Sequence, residues 1–309
     1  MPALGVLTTL GPSPHCYVQA QILGHCLRRL YPTVPRAVVG APPCIAGLEA
    51  SGWTLCPSDD PDLRRGFESK LCLWRHTPFD TTLFLDVDVV PYVRAGTLEA
   101  RLAPLLNASA PVAFCAQHLV HEGDYQGTLM PDLRQRGIDS LHAARAGGHY
   151  LWHRGPTSTA VFREAQRIAD ARWPEVLRYR PALTNQWHTP DEVVVSIALA
   201  RLYPDATLPD APLVVTPADP RPRRQAATFV HFVADGAALQ YAWTARHSGT
   251  PWSLAFSATR TWGMHTLRKA VAHYRQGGRH RIRTSAHEQA VHSASPSAVD
   301  PLLSTTEHI

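Results

Sequence analysis

Two carboxylates follow an apolar run in Thr82-Leu83-Phe84-Leu85-Asp86-Val87-Asp88-Val89-Val90-Pro91. The run has the composition of a buried strand, and positions i and i+2 of an extended chain project to the same side. Asp86 and Asp88 are therefore expected side by side at the strand's end. Like charges held so close repel unless a proton or a cation sits between them. A hard divalent ion resolves the conflict, because Mg2+ and Mn2+ take oxygen ligands and often share them with substrate phosphates. The plainer alternative is a solvated turn after a strand. Three further places carry candidate chemistry. Almost all the positive charge is Arg, and Lys occurs only at Lys70 and Lys269. A lysine kept in that background raises the question of what a guanidinium could not do there. His231 closes a late apolar stretch, Phe229-Val230-His231; its imidazole suits Mn2+ better than Mg2+, or it is an ordinary core histidine. Pro190-Asp191-Glu192 sets two acids at the start of an apolar helix, where capping and the helix dipole alone would favour them.

Positioning these residues requires an ordered scaffold, and the pattern supplies one. Strands are expected over 4–9, 36–39, 53–56, 82–89 and 111–116, with helices over 17–30 and 66–76 between them. Alternation of this kind predicts an α/β fold with a doubly wound, mostly parallel sheet and helices on both faces. Ligands of such sheets sit at the carboxyl ends of the strands. The stretch 123–154 is rich in Gly, His and Arg with little periodicity and reads as a loop excursion. Beyond it, strands are expected over 157–162, 213–216 and 228–233, and helices over 164–172 and 190–203. The layout is a main domain over 1–250, a basic helical appendage over 251–284 with a helix at 261–274, and a Ser-, Ala- and His-rich disordered tail over 285–309.

The block Lys70-Leu-Cys-Leu-Trp74, then Pro78-Phe79-Asp80 and the strand into Asp86-Val-Asp88, resembles glycogenin-like and bacterial lipopolysaccharide galactosyltransferase-like GT-A glycosyltransferases. The resemblance spans roughly residues 1–235. It implies transfer of a sugar from a nucleotide diphosphate-sugar, UDP-sugar favoured, to an acceptor that is a glycan, a protein or a small molecule. It implies Mn2+ or Mg2+ on Asp86, Asp88 and His231, and nucleotide contacts from Lys70, Thr8, Thr9, Asp86 and Val87. Asp191 and Glu192 would be the catalytic acids facing donor sugar and acceptor. Two departures stand out. The family's late His is followed by Gly and then Lys-Pro-Trp, whereas His231 leads into Phe232-Val233-Ala234-Asp235 and only Thr250-Pro251-Trp252 echoes the motif. The family's Asn-x-Gly before the substrate strand is absent, and Thr157-Ser158-Thr159 stands in that place.

Composition bounds the alternatives. The six cysteines form no CxxC and are scattered through apolar segments, which suits a reduced, cytoplasmic protein. No run is long and apolar enough to span a membrane, and the first residues lack the basic start of a signal peptide. The net charge of +5 is compatible with a phosphate ligand or an anionic surface. The basic stretch 260–283 allows peripheral membrane contact but has too few aromatics for a nucleic-acid platform, so no nucleic acid is expected. Asp86-Val-Asp88 also matches the first motif of haloacid dehalogenase-like phosphatases, with Asp86 as nucleophile, yet the only downstream Lys is Lys269. His118-x-x-His121-Glu122 and His149-x-x-x-His153 lack the helical His-Glu-x-x-His spacing of a zinc hydrolase. A degenerate nucleotide-sugar-binding domain without activity is the remaining alternative, favoured by the missing phosphate-gripping Lys.

Overall fold

A computed structural model describes residues 4–11, 14–91, 96–125, 128–144, 147–176, 189–209, 213–216 and 227–231. The helix expected at 261–274, the appendage over 251–284 and the tail over 285–309 lie outside the described residues, as does Thr250-Pro251-Trp252. The strands are β1 (Leu4–Leu10), β2 (Arg36–Gly40), β3 (Thr54–Pro57), β4 (Thr81–Phe84), β5 (Val89–Pro91), β6 (Val112–Phe114), β7 (Gln117–Val120), β8 (Asp124–Tyr125), β9 (Thr128–Leu129), β10 (Leu141–Ala144), β11 (Tyr150–His153), β12 (Val214–Val215) and β13 (Phe229–His231). The helices are α1 (Pro14–Leu30), α2 (Pro42–Ile45), α3 (Leu98–Leu106), α4 (Met130–Arg134), α5 (Pro156–Asp170) and α6 (Asp191–Leu202), and Gly66–Arg75 forms a 3-10 helix.

The main sheet has the order β3-β2-β1-β4-β11-β6. Its first four strands run parallel, while β11 runs antiparallel to both β4 and β6. Side chains alternate between its faces, as the two-residue period of a strand requires. Val6, Leu83, Ala113 and Leu151 join a core with Ala20, Leu23 and Leu27 of α1 and Leu98 and Leu102 of α3. Leu7, Phe84, Phe114 and Tyr150 face the other way, into a core with Phe162 and Ala165 of α5 and Val194 and Ile197 of α6. Helices therefore cover both faces, and the doubly wound, mostly parallel sheet expected from the sequence is present. Burial is unbroken from Asp191 to Leu199, so α6 lies within the protein rather than on its surface.

Three expectations need correction. The strand expected over 82–89 ends at Phe84, and the chain turns at Val87–Asp88 before β5 begins. Asp86 and Asp88 thus do not project together from one extended strand; Val89 N donates back to the Asp86 carbonyl at 3.3 Å. The strand expected over 157–162 is instead the first half of α5, with Pro156 at its first position, where a missing N–H costs nothing. Finally, 123–154 is no mere excursion. It holds α4, three short strands and β11, which inserts between β4 and β6.

Candidate active site

The site is assembled by strand register. β11 pairs with β4 through Tyr150 opposite Phe84 and Leu151 opposite Leu83, which brings His149 beside the Leu85–Asp86 exit of β4. β13 pairs with β5 through His231 opposite Val89, one residue beyond Asp88. Two imidazoles from distant parts of the chain therefore converge on the two aspartates. His231 Nε2 lies 3.1 Å from Asp88 Oδ1, and His149 Nδ1 lies 3.8 Å from Asp86 Oδ2. The two rings meet edge to face with centroids 4.6 Å apart. The ligand atoms of Asp86, His149 and His231 all lie within 4.8 Å of one another, a group that could close on a metal ion, and Asp88 joins it through His231.

Lys70 enters from the 3-10 helix. It is 8% exposed, and its Nζ reaches Asp86 Oδ2 at 2.9 Å and Asp191 Oδ1 at 3.5 Å. The repulsion expected between Asp86 and Asp88 is thus answered in two ways: an ammonium on Asp86 and an imidazole on Asp88. Burial opposes charge on Asp86, but Lys70, His149 and His231 outweigh it and hold the carboxyl below its ordinary range. Burial likewise opposes charge on His231, and Asp88 and Asp86 reverse this and raise its pKa. Lys70 is held firmly protonated, because Asp191, Asp86 and Glu192 overcome its desolvation.

Asp191 and Glu192 sit in the first turn of α6, both buried, and Lys70 ties the first of them to the aspartate pair. The Tyr150 hydroxyl donates to Asp191 Oδ2. Burial pushes Asp191 well above the ordinary carboxylate range; Lys70 pulls the other way and Glu192 adds to the rise. Lys70 is nearer Asp86 than Asp191, so Asp86 keeps its charge while Asp191 is the group driven toward its protonated form. Tyr150 is raised in turn by its own burial and by Asp191.

The nucleotide-contact candidates are less convergent. Thr8 and Thr9 lie near the carboxyl end of β1, next to the exit of β4, where Leu85 N donates to the Leu7 carbonyl at 3.0 Å. The Thr8 hydroxyl is fully buried with no hydrogen-bond partner among the described residues, whereas Thr9 donates to the Val39 carbonyl at 3.3 Å. Val87 is half-buried and packs on the core beneath the aspartates. His149 and His153, whose spacing did not suit a zinc hydrolase, do not converge: His153 bonds Thr81 Oγ1 at 2.8 Å, four residues along the chain from His149.

Sequence reasoning missed His149, Tyr150 and the two glycines before them. A Cβ on Gly148 would lie 1.9 Å from Asp191 Oδ2 and 2.6 Å from the Tyr150 hydroxyl. Gly147 has φ +91°, and a Cβ there would lie 2.9 Å from the His231 ring. The readable signal was Gly147-Gly148 running into an apolar strand, a mark of close backbone approach. Thr157–Thr159 lie in α5, so the segment that enters the site-facing strand is Gly147–His149. Gly148→Ala is expected to lower stability by about 1–3 kcal/mol through overpacking. It should also slow turnover about tenfold by displacing Asp191. Thermal melting and initial rates check both, and wild-type values would contradict the contact.

A second polar cluster lies apart. Asp60, Cys72 and His76 also bring potential ligand atoms within 4.8 Å. Its charges are already matched, since Arg75 bonds Asp60 at 3.0 Å and Asp62 at 2.6 Å, and His76 bonds Asp60 at 2.9 Å. It braces the segment after β3 against the 3-10 helix.

No family model matches the chain, and no curated protein matches it. Among solved structures it is similar to the apo form of the bifunctional glycosyltransferase WbbM, with a TM-score of 0.51 and 12% identity, covering 83% of this chain and 51% of that one. The fold is GT-A-like. This chain spans about half the length of WbbM, and at 12% identity the likeness is one of fold. Mouse xyloside xylosyltransferase 1, in its apo form, gives a TM-score of 0.49 at 11% identity, covering 75% of this chain and 98% of that one. The galactosyltransferase LgtC, in complex with donor and acceptor sugar analogs, gives 0.47 at 12%, covering 81% and 99%. In this glycosyltransferase fold the site described above stands where ligands of open α/β sheets bind, past the carboxyl ends of parallel strands β1 and β4.

Proposed function

We propose that this protein is a metal-dependent glycosyltransferase that moves a sugar from a nucleotide diphosphate-sugar, UDP-sugar favoured, to a glycan, protein or small-molecule acceptor. One observation carries the reading: His231 of β13 and the Asp86-x-Asp88 turn meet at the carboxyl end of a parallel strand. Carboxylates with an imidazole suit Mn2+ well and Mg2+ less so. When bound, the ion supplies positive charge that offsets the charge developing on the leaving diphosphate.

The chain's own residues do the rest. Asp86, Asp88 and His231 hold the ion, and Lys70 adds a compact positive charge near the nucleotide. Thr8, with its buried unpartnered hydroxyl, Thr9 and Val87 border the nucleotide. Asp191, kept toward its protonated form by burial, and Glu192 face donor sugar and acceptor from the start of α6. A reducing compartment such as the cytoplasm is part of the same proposal. No helix among the described residues is long and apolar enough to cross a membrane. Contact of 260–283 with a membrane surface is part of the same proposal.

A thermal-shift screen of nucleoside diphosphates and nucleotide sugars, with and without Mn2+, tests the reading. A ligand at 100 times its Kd stabilises the folded state by about 2.7 kcal/mol. UDP or a UDP-sugar should raise the melting temperature only when Mn2+ is present. No shift with any nucleotide diphosphate would contradict the proposal, and a shift without turnover would favour the degenerate binding domain.

A further inference from the structure

The proposed site needs three protein ligands, and the structure offers a fourth. His149 is 1% exposed and lies beside Asp86 and His231, on the segment leading into β11. Two ligand atoms that each lie about 2.1 Å from one ion are about 3.0 Å apart at a right angle and at most about 4.2 Å apart. The 3.1 Å between His231 Nε2 and Asp88 Oδ1 and the 3.8 Å between His149 Nδ1 and Asp86 Oδ2 both fall inside that window; His149 Nδ1 also accepts from Asp86 N at 3.4 Å, a long bond that coordination through Nδ1 would replace. The two rings meet edge to face at 4.6 Å between centroids, close enough to share one ion. Gly147 makes room for the His231 imidazole and touches that of His149. A Cβ there would lie 2.9 Å from His231 Cε1 and 3.7 Å from His149 Nε2.

We infer that His149 is a fourth protein ligand of the metal, and that the resulting set of two imidazoles and two carboxylates selects a borderline transition ion over Mg2+. This rests on the metal site of the proposed function and specifies its chemistry. Two carboxylates balance the charge of a divalent ion, and two neutral imidazoles add nitrogen donors for which Mg2+ has little preference and Mn2+, Co2+ or Zn2+ more. Such a set would still leave the ion able to share the oxygens of a substrate diphosphate.

The test uses the full chain and Mn2+ alone. Pulsed electron paramagnetic resonance on Mn2+-loaded protein should resolve two coupled imidazole nitrogens. Only one should remain in His149→Asn and one in His231→Asn, with 15N-histidine labelling of the wild type as a check that needs no variant. Competition titration should show Mn2+ preferred over Mg2+ by at least about 100-fold, with His149→Asn reducing that preference at least about tenfold. A single coupled imidazole in the wild type would overturn the inference, as would an unchanged preference in a folded His149→Asn. If two imidazoles are seen but no nucleotide diphosphate binds, the inference stands and the transferase reading fails.

Discussion

In Asp86→Ala, Mn2+ affinity is expected to fall by at least about 100-fold, since loss of an outer-shell partner alone costs about 10- to 100-fold and Asp86 is a ligand. Asp86 Oδ2 accepts from Lys70 and lies 3.8 Å from His149 Nδ1, so its removal takes away a carboxylate that both of these address. Asp88→Ala should lose metal to the same degree, because Asp88 is the partner of His231. The two variants part on stability. Viewed from the sequence, either change relieves a repulsive pair. In the structure Asp86 is paired, and its loss leaves a buried ammonium with Asp191, itself driven toward protonation. Asp86→Ala should therefore melt below Asp88→Ala when metal is absent. Calorimetric titration and thermal melting measure both effects, and unchanged Mn2+ affinity in either variant would remove the metal site.

The second large effect is expected at Lys70. Lys70→Met removes the cation from among Asp86, Asp191 and Glu192, all of which raise its pKa. Removing one partner of a buried ion pair costs about 3–5 kcal/mol, because the other charge stays behind uncompensated. For a domain of this size that lowers Tm by roughly 6–20 °C, at about 2–4 °C per kcal/mol. Lys70→Arg keeps the charge but not the shape. The ammonium is 8% exposed and lies 5.7 Å from the Phe84 ring centroid, a space ill-suited to a planar fork. Nucleotide-sugar binding should weaken at least about tenfold, or 1.4 kcal/mol. A Lys70→Met variant with wild-type melting would show that the carboxylates carry no charge worth balancing.

The parts of the site that could be read from the sequence are those whose chemistry is local. Asp86 and Asp88 follow an apolar run, Asp191 and Glu192 open a helix, and the scarcity of lysine draws attention to Lys70. The sheet was legible for the same reason: β1, β2, β3 and β4 alternate with helical segments at short range. What was not legible depends on register between distant segments. His149 reaches Asp86 only because β11 runs antiparallel beside β4, an insertion that periodicity over 123–154 does not announce. The break after Phe84 was hidden because Val87, Val89 and Val90 continue an apolar pattern straight through the turn. Thr157–Phe162 misled because Thr and Val favour strands locally, whereas Pro156 and the apolar spacing of Val161, Phe162, Ala165 and Ile168 settle the segment as a helix in the packed protein. His231 was found from its family-like position, and its partner Asp88 follows from β13 pairing with β5.

The central claim is metal-dependent transfer from a nucleotide-sugar, and product release tests it most directly. The full chain is incubated with a panel of UDP-sugars and Mn2+, and free UDP is followed by chromatography with water or added sugars as acceptors. The account predicts UDP release from at least one donor, abolished by EDTA, restored by Mn2+ and absent in Asp88→Ala. Release that persists undiminished in EDTA and in Asp88→Ala, or a wild-type protein that binds Mn2+ yet neither binds nor cleaves any nucleotide diphosphate-sugar, would contradict it.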